Sequence, residues 1–284
     1  MLKKLMKYDL RAIGRFWWLI AVYTLLACAF EGFLLRTALE ILQSGNGTVW
    51  AFICIVFFCL GMTSVSMTLP LILLLVFYRF YRQLYTDVGY LTFTLPASRR
   101  QIFAAKTLNA VFWMLLQLLT IGAGVTLILF CAPPASDGAY FDPIVYNRLA
   151  ALFDKMWSGI GAWTVVYAVE LAALVLIGIW ITVGFAHMCI TVGATVFKKL
   201  RLVASVVIYT VASAFVILVV DMLTSLSVVL LADGFIDVLS VSSGALQCAA
   251  LAIILLIACV ISASIAVFMH LVTLDRIERK LSLA

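Results

Sequence analysis

Six apolar runs, each about as long as a bilayer is thick, leave this chain of 284 residues little choice of fold. A helix rises about 1.5 Å per residue, so about 20 apolar residues cross a hydrocarbon core of about 30 Å. The runs lie at Phe16 to Leu35, Ala51 to Phe77 and Thr107 to Ala132, with a fourth ending at Val196, a fifth beginning at Leu202 and a sixth ending near Val272. Hydrocarbon offers the backbone no hydrogen bonds, so segments of this length satisfy their own N–H and C=O groups as helices. The expectation is an all-α polytopic membrane protein with six transmembrane helices. Composition agrees, since 11% of the residues are charged against about 25% in soluble domains. The residues left over leave no room for a separate soluble domain, so 1–284 reads as one transmembrane domain.

Charge gives the orientation. Lys3, Lys4, Lys7, Arg11 and Arg15 precede the first run, Arg79 to Lys106 joins the second and third, Lys198, Lys199 and Arg201 separate the fourth and fifth, and Arg276, Arg279 and Lys280 follow the sixth. All of these share one side if the spans alternate, and only Arg36, Arg148 and Lys155 fall opposite. The positive-inside rule therefore predicts cytoplasmic N- and C-termini. Basic residues beside apolar spans serve orientation and anionic headgroups, so the lipid bilayer is the expected partner and nucleic acid is not.

Little here suggests chemistry. The two histidines, His187 and His270, are far apart, there is no H-E-x-x-H pattern, and no lysine follows a glycine as a Walker A loop requires. The expectation is a non-enzyme with no metal and no cofactor of its own. The seven cysteines lie within or at the ends of apolar runs without a CxxC pair and read as packing residues. Leu25-Leu26-Ala27-Cys28 loosely resembles a lipoprotein cleavage box, but the apolar run continues past Cys28, so a retained span is expected.

Finer features sit at the edges of the spans. Leu2, Leu5, Met6 and Ile13 share a helical face, with Lys3, Lys4, Lys7 and Arg11 around it, which predicts an amphipathic interfacial helix over 1–15. Asp9 interrupts the stripe, either pairing with a neighbouring lysine or, with Arg11, facing a partner protein. Counting along the spans puts Glu170 and Asp221 near the outer interface. The semi-apolar stretch that follows is too short for two crossings and predicts a re-entrant element at 222–241. Thr63, Ser64, Ser66, Thr68 and Pro70 make the second span polar and kinked, and Gln117 and Thr120 lie near the middle of the third. Such groups either line a translocation path, for which Thr63, Ser66, Gln117 and Glu31 are the candidates, or hold helices together.

The interruption from Phe77 to Lys106, a cytoplasmic loop expected at 78–106, carries five basic residues against the single acid Asp87. Gly89 permits a tight turn, Pro96 stops or starts a short helix, and Tyr90, Leu91, Phe93 and Leu95 are apolar anchors of the kind that dominate interfaces. The same aromatics also suit a loop resting in the headgroups.

Arg79-Phe80-Tyr81, the run Tyr85-Thr86-Asp87-Val88-Gly89-Tyr90-Leu91-Thr92-Phe93-Thr94-Leu95-Pro96, then Ser98, Gln101, Ile102 and Lys106, resemble the cytoplasmic loop of small bacterial ABC-2 type permeases, especially those of Gram-positive bacteria. There the loop commonly reads R-F-Y, then D-E-G-Y-L-x-F-T-L-P-V-S, then Q-I-L and S-K. The match covers about thirty residues, with Val88 in place of the usual Glu and Ala105 in place of the usual Ser. The resemblance implies the permease of an ABC exporter in a bacterial plasma membrane, paired with a second permease copy or paralogue. A separate cytosolic ABC ATPase subunit would bind the ATP and Mg. It further implies that Asp87, Gly89, Tyr90, Leu91, Phe93, Leu95 and Pro96 form a coupling helix docked on that ATPase, whose closure would tilt spans one to three. Cargo of several kinds, peptide, drug or lipid, fits equally. An ion-coupled secondary transporter relying on Glu31, Glu170 and Asp221, and a non-transporting membrane sensor or scaffold, are the alternatives. Both predict that substitutions at Gly89 and Tyr90 leave a partner ATPase unchanged.

Overall fold

A computed structural model of the chain describes residues 2–44, 47–86, 89, 94, 98–131, 150–151, 154–155, 157–158, 161–197, 200–218, 221–222 and 244–280. The main helices are α1 (Leu2–Ser44), α2 (Thr48–Ser66), α3 (Thr68–Tyr85), α4 (Arg99–Cys131), α5 (Trp163–Val196), α6 (Arg201–Leu218) and α7 (Gly244–Lys280). Taking α2 and α3 as one span, six are long and apolar enough to cross a membrane, and no strand occurs among the described residues. The protein is therefore an all-α polytopic membrane protein.

The break between α2 and α3 follows from Pro70. Without an N–H, Pro70 cannot bond the Ser66 carbonyl one turn back. Helical bonding closes on either side, Met67 N to Thr63 O at 3.1 Å and Leu71 N to Met67 O at 3.1 Å. Thr63, Ser64 and Ser66 each donate to a carbonyl three residues back, at 2.6, 2.7 and 2.8 Å, a habit that bends helices. The polarity of this span is thus satisfied within its own turn.

Two compact units divide the chain: α1, α2, α3 to Tyr78 and α4 from Ala104 form the first, and Arg79–Phe103 with α5, α6 and α7 form the second. In the first unit α1 and α4 run parallel, because their contacts climb both helices together. Asp9 pairs with Lys106, the Trp17 and Trp113 rings lie 5.5 Å apart, Thr24 accepts from Gln117, and Cys28 lies against Gly124. First and third spans of an alternating chain must run this way. Small residues set the spacing, since a Cβ on Gly124 would stand 2.5 Å from Cys28 Sγ and one on Gly32 3.2 Å from Ile128 Cα. Against α2 the order reverses, as an antiparallel hairpin requires: Tyr23 meets Ser64, Glu31 meets Gly61 and Thr37 meets Cys54.

In the second unit α5 and α6 form an antiparallel hairpin through Phe185 with Tyr209 and Gly193 with Ser205. The two helices approach closely at Gly193, where a Cβ would lie 2.6 Å from Ser205 Cα and 2.7 Å from Ser205 N. Helices α5 and α7 run parallel, with Tyr167 OH donating to Cys248 O at 2.8 Å and Gly184 facing Met269.

The helix bounds add detail to two sequence expectations and do not reach a third. The amphipathic segment 1–15 is not a separate element, because α1 is continuous from Leu2 to Ser44 and Gly14 within it packs on Trp113 instead of breaking the helix. The loop at 78–106 includes helical stems, α3 running on to Tyr85 and α4 beginning at Arg99. The re-entrant segment 222–241 lies outside the described residues except for Met222, which is helical.

Candidate functional site

Helix α3 outlasts its apolar run because its last turns bury one face. Phe77, Phe80, Leu84 and Tyr85 recur at helical spacing and are all buried. On the other stem Ile102 and Phe103 are buried in the same way. The residues flanking the basic loop are thus a helical hairpin with an aromatic interior.

Two histidines complete that interior. The His187 ring of α5, only 1% exposed, stacks on Phe80 with centroids 3.9 Å apart and planes 18° off parallel. Phe103 meets His187 edge-on at 5.9 Å and also meets His270 of α7 at 4.8 Å. Phe80 and Phe103 touch each other at 6.1 Å, and Trp180 lies 6.4 Å from His270. Each such ring pair contributes about 0.5–1.5 kcal/mol beyond its burial.

Polar groups extend the junction. Tyr85 OH donates to Thr191 Oγ1 at 2.9 Å, and Thr191 donates in turn to the His187 carbonyl at 2.8 Å. Arg201, opening α6, reaches the Tyr85 carbonyl at 3.5 Å. On the α4 stem Arg99 donates to the carbonyls of Ile277 and Glu278 at 3.3 and 2.9 Å. Those carbonyls belong to the last turn of α7, where no intrahelical donor remains, so Arg99 caps the helix. Beside it Arg100 grips the Glu278 carboxylate with Nε and Nη2 at 2.7 and 3.4 Å.

Of the expected docking residues, Asp87, Tyr90, Leu91, Phe93, Leu95 and Pro96 lie outside the described residues. Gly89 is described and buried, its N–H bonded to Thr86 O at 2.7 Å. A Cβ there would stand 2.8 Å from Leu84 O, so close backbone approach is what requires glycine at this position.

The other candidates fall in the first unit. Gln117 is buried and Nε2 donates to Thr24 at 3.2 Å and Thr68 at 2.9 Å. Each threonine spends its own proton on a backbone carbonyl three or four residues back, so the amide must supply the donors. Gln117 therefore ties α1, α3 and α4 together. Thr63 and Ser66 are exposed and bonded to their own backbone. Glu31 is 3% exposed, its carboxyl lies against Gly61, and Oε2 has no hydrogen-bond partner among the described residues. Asp9, 7% exposed, turns inward to Lys106 instead of presenting itself on the surface, whereas Arg11 is exposed. The partner of Asp9 is 97 positions away and has no local signal.

Sequence reasoning set His187 and His270 aside as too far apart for a metal-ligand motif and did not connect them with the loop. One clue was present: a lone histidine in an apolar run seeks a protein neighbour, not lipid. Which neighbour it finds is a tertiary matter. Among the described residues no group of three or more His, Cys, Asp or Glu is placed to hold a metal ion. Comparison of the chain with protein-family models, with curated proteins and with solved structures found no match. Fold and junction together define a class, a six-span membrane protein whose basic loop is anchored at both ends.

Proposed function

We propose that this chain is the membrane-spanning permease of an ABC exporter, working as a pair of permease subunits with a separate cytosolic ATPase that binds ATP and Mg. The observation that carries the reading is the segment Arg79 to Lys106, whose sequence resembles an ABC-2 coupling loop and whose two stems are each bonded to other spans. A slack connector needs no such anchoring, whereas a docking element that transmits force does. In this reading the loop side and both termini face the cytoplasm of a bacterial cell, as the basic residues favour. Asp87 to Pro96 dock in a groove of the ATPase, and no chemistry takes place in this chain. Few charges in the spans favour hydrophobic or amphipathic cargo.

The test is purification from native membrane with the loop intact. An ATPase co-elutes, and replacing Gly89 with Ala or Tyr90 with Ala lowers its hydrolysis rate or releases it. Crosslinks from Tyr90 or Phe93 that capture lipid alone while transport is running overturn the reading. One observation favours a second reading, ion-coupled transport: the Glu31 carboxyl, buried with one oxygen unpartnered among the described residues. That reading requires transport to persist without any ATPase and to stop in Glu31→Gln.

A further inference from the structure

We infer that His187 and His270 are positioning residues that join the hairpin Arg79–Phe103 to α5 and α7, so that a displacement of the loop is handed to the fourth and sixth spans. The source of that displacement rests on the permease reading above; its path rests on the contacts of the second unit.

The path has an exposed part and a buried part. The outer brace is Arg100 with Glu278, and Arg100 is 72% exposed, so water competes for the pair and it holds the hairpin only loosely. The inner joint has no such competition. Phe80, Phe103 and His187 are all buried, and the imidazole stacks on a ring from one stem and meets a ring from the other edge-on. Sliding the hairpin past α5 would open a void between close-packed rings, which interiors resist. The same turn of α5 is also held through its backbone, because the Tyr85 hydroxyl is bonded to Thr191 and Thr191 to the His187 carbonyl. Side chain and main chain of one residue thus move with the α3 stem. The α4 stem is tied to α7 twice: by Phe103 on His270, and by Arg99 on the terminal carbonyls. The α3 stem consequently pulls α5 through His187, and the α4 stem pulls α5 through His187 and α7 through His270. The sequence expectation sent the stroke to spans one to three; these contacts send it to spans four and six.

Hydrogen exchange on the full chain in lipid nanodiscs, alone and with the co-purified ATPase, tests the joint. In His187→Ala the stems 80–85 and 99–103 exchange about tenfold faster than in the wild type, as loss of one buried ring contact implies, while α1 is unchanged. His187→Phe, which keeps a stacking ring, restores protection. With ATPase present, His187→Ala still hydrolyses ATP, but ATP no longer alters exchange in 183–191 and 266–277. Phe103→Leu keeps an apolar side chain without the ring and gives the same uncoupling should His187→Ala fail to fold. ATP-dependent changes in α5 and α7 that survive both variants overturn the inference, as does a folded His187→Phe that fails to restore them. If no ATPase accompanies the wild type, the permease reading falls and the joint is judged on exchange without ATP. Stem protection that falls in His187→Ala and returns in His187→Phe then supports the joint, and unchanged protection overturns it.

Discussion

Replacing Lys106 with methionine separates two accounts of Asp9 by their size. Were Asp9 paired with a neighbouring lysine on an exposed helix face, loss of a distant basic residue would cost nothing, and even its own pair would contribute only about 0.2–1 kcal/mol. In the structure the two side chains are 8% and 10% exposed and bonded to each other, so removing one takes the opposite charge from a group held away from water. Breaking a buried pair in this way costs about 3–5 kcal/mol. Lys106→Met should destabilise the protein by that amount, raising its unfolded fraction by a factor of about 10²–10⁴. Asp9→Leu combined with Lys106→Met should recover most of the loss, because two apolar side chains of similar volume replace a buried pair at little or no cost. The assay is reversible unfolding in detergent followed by tryptophan emission, which Trp17 and Trp113 on the same two helices report. A double-mutant cycle extracts the coupling energy. A single-variant loss below about 1 kcal/mol, or strictly additive variants, would refute the buried pair.

Two further outcomes follow from the packing. Gly193→Ala should cost about 1–3 kcal/mol, because the new methyl meets Ser205 backbone atoms at 2.6 and 2.7 Å and α5 and α6 must separate. Adding Ser205→Ala should not fully rescue it in thermal melts, since removing Oγ, 2.5 Å from the new methyl, leaves the clash with main chain. Gln117→Leu should change stability by only about 0.6–1.7 kcal/mol in the same melts, because Thr24 and Thr68 keep their own hydrogen bonds and membrane-buried side-chain bonds are individually weak. A loss well above that range would mean that Gln117 does more than tie the helices.

What could be read along the chain was whatever depends on neighbours in sequence. The Pro70 break needs only a missing N–H, and Thr63, Ser64 and Ser66 find their acceptors within one turn. The same locality explains why the helical stems within 78–106 were not foreseen. Hydropathy falls after Phe77, yet α3 continues, because Phe80 and Tyr85 are buried by residues more than a hundred positions away. The glycine at 89 was singled out for its turn, but the approach of Leu84 O that requires it is visible only in three dimensions.

Six spans and an all-helical fold follow from the chain alone, since hydrocarbon imposes its condition on each segment separately: enough apolar residues, and every backbone group bonded within. Which face of a span meets which other span is different in kind. Asp9 with Lys106, Gln117 with two threonines, and His187 with Phe80 and Phe103 are choices among many apolar surfaces of nearly equal affinity for lipid. Such choices are decided by shape and by the few polar groups that must find one another, and only the folded arrangement records them.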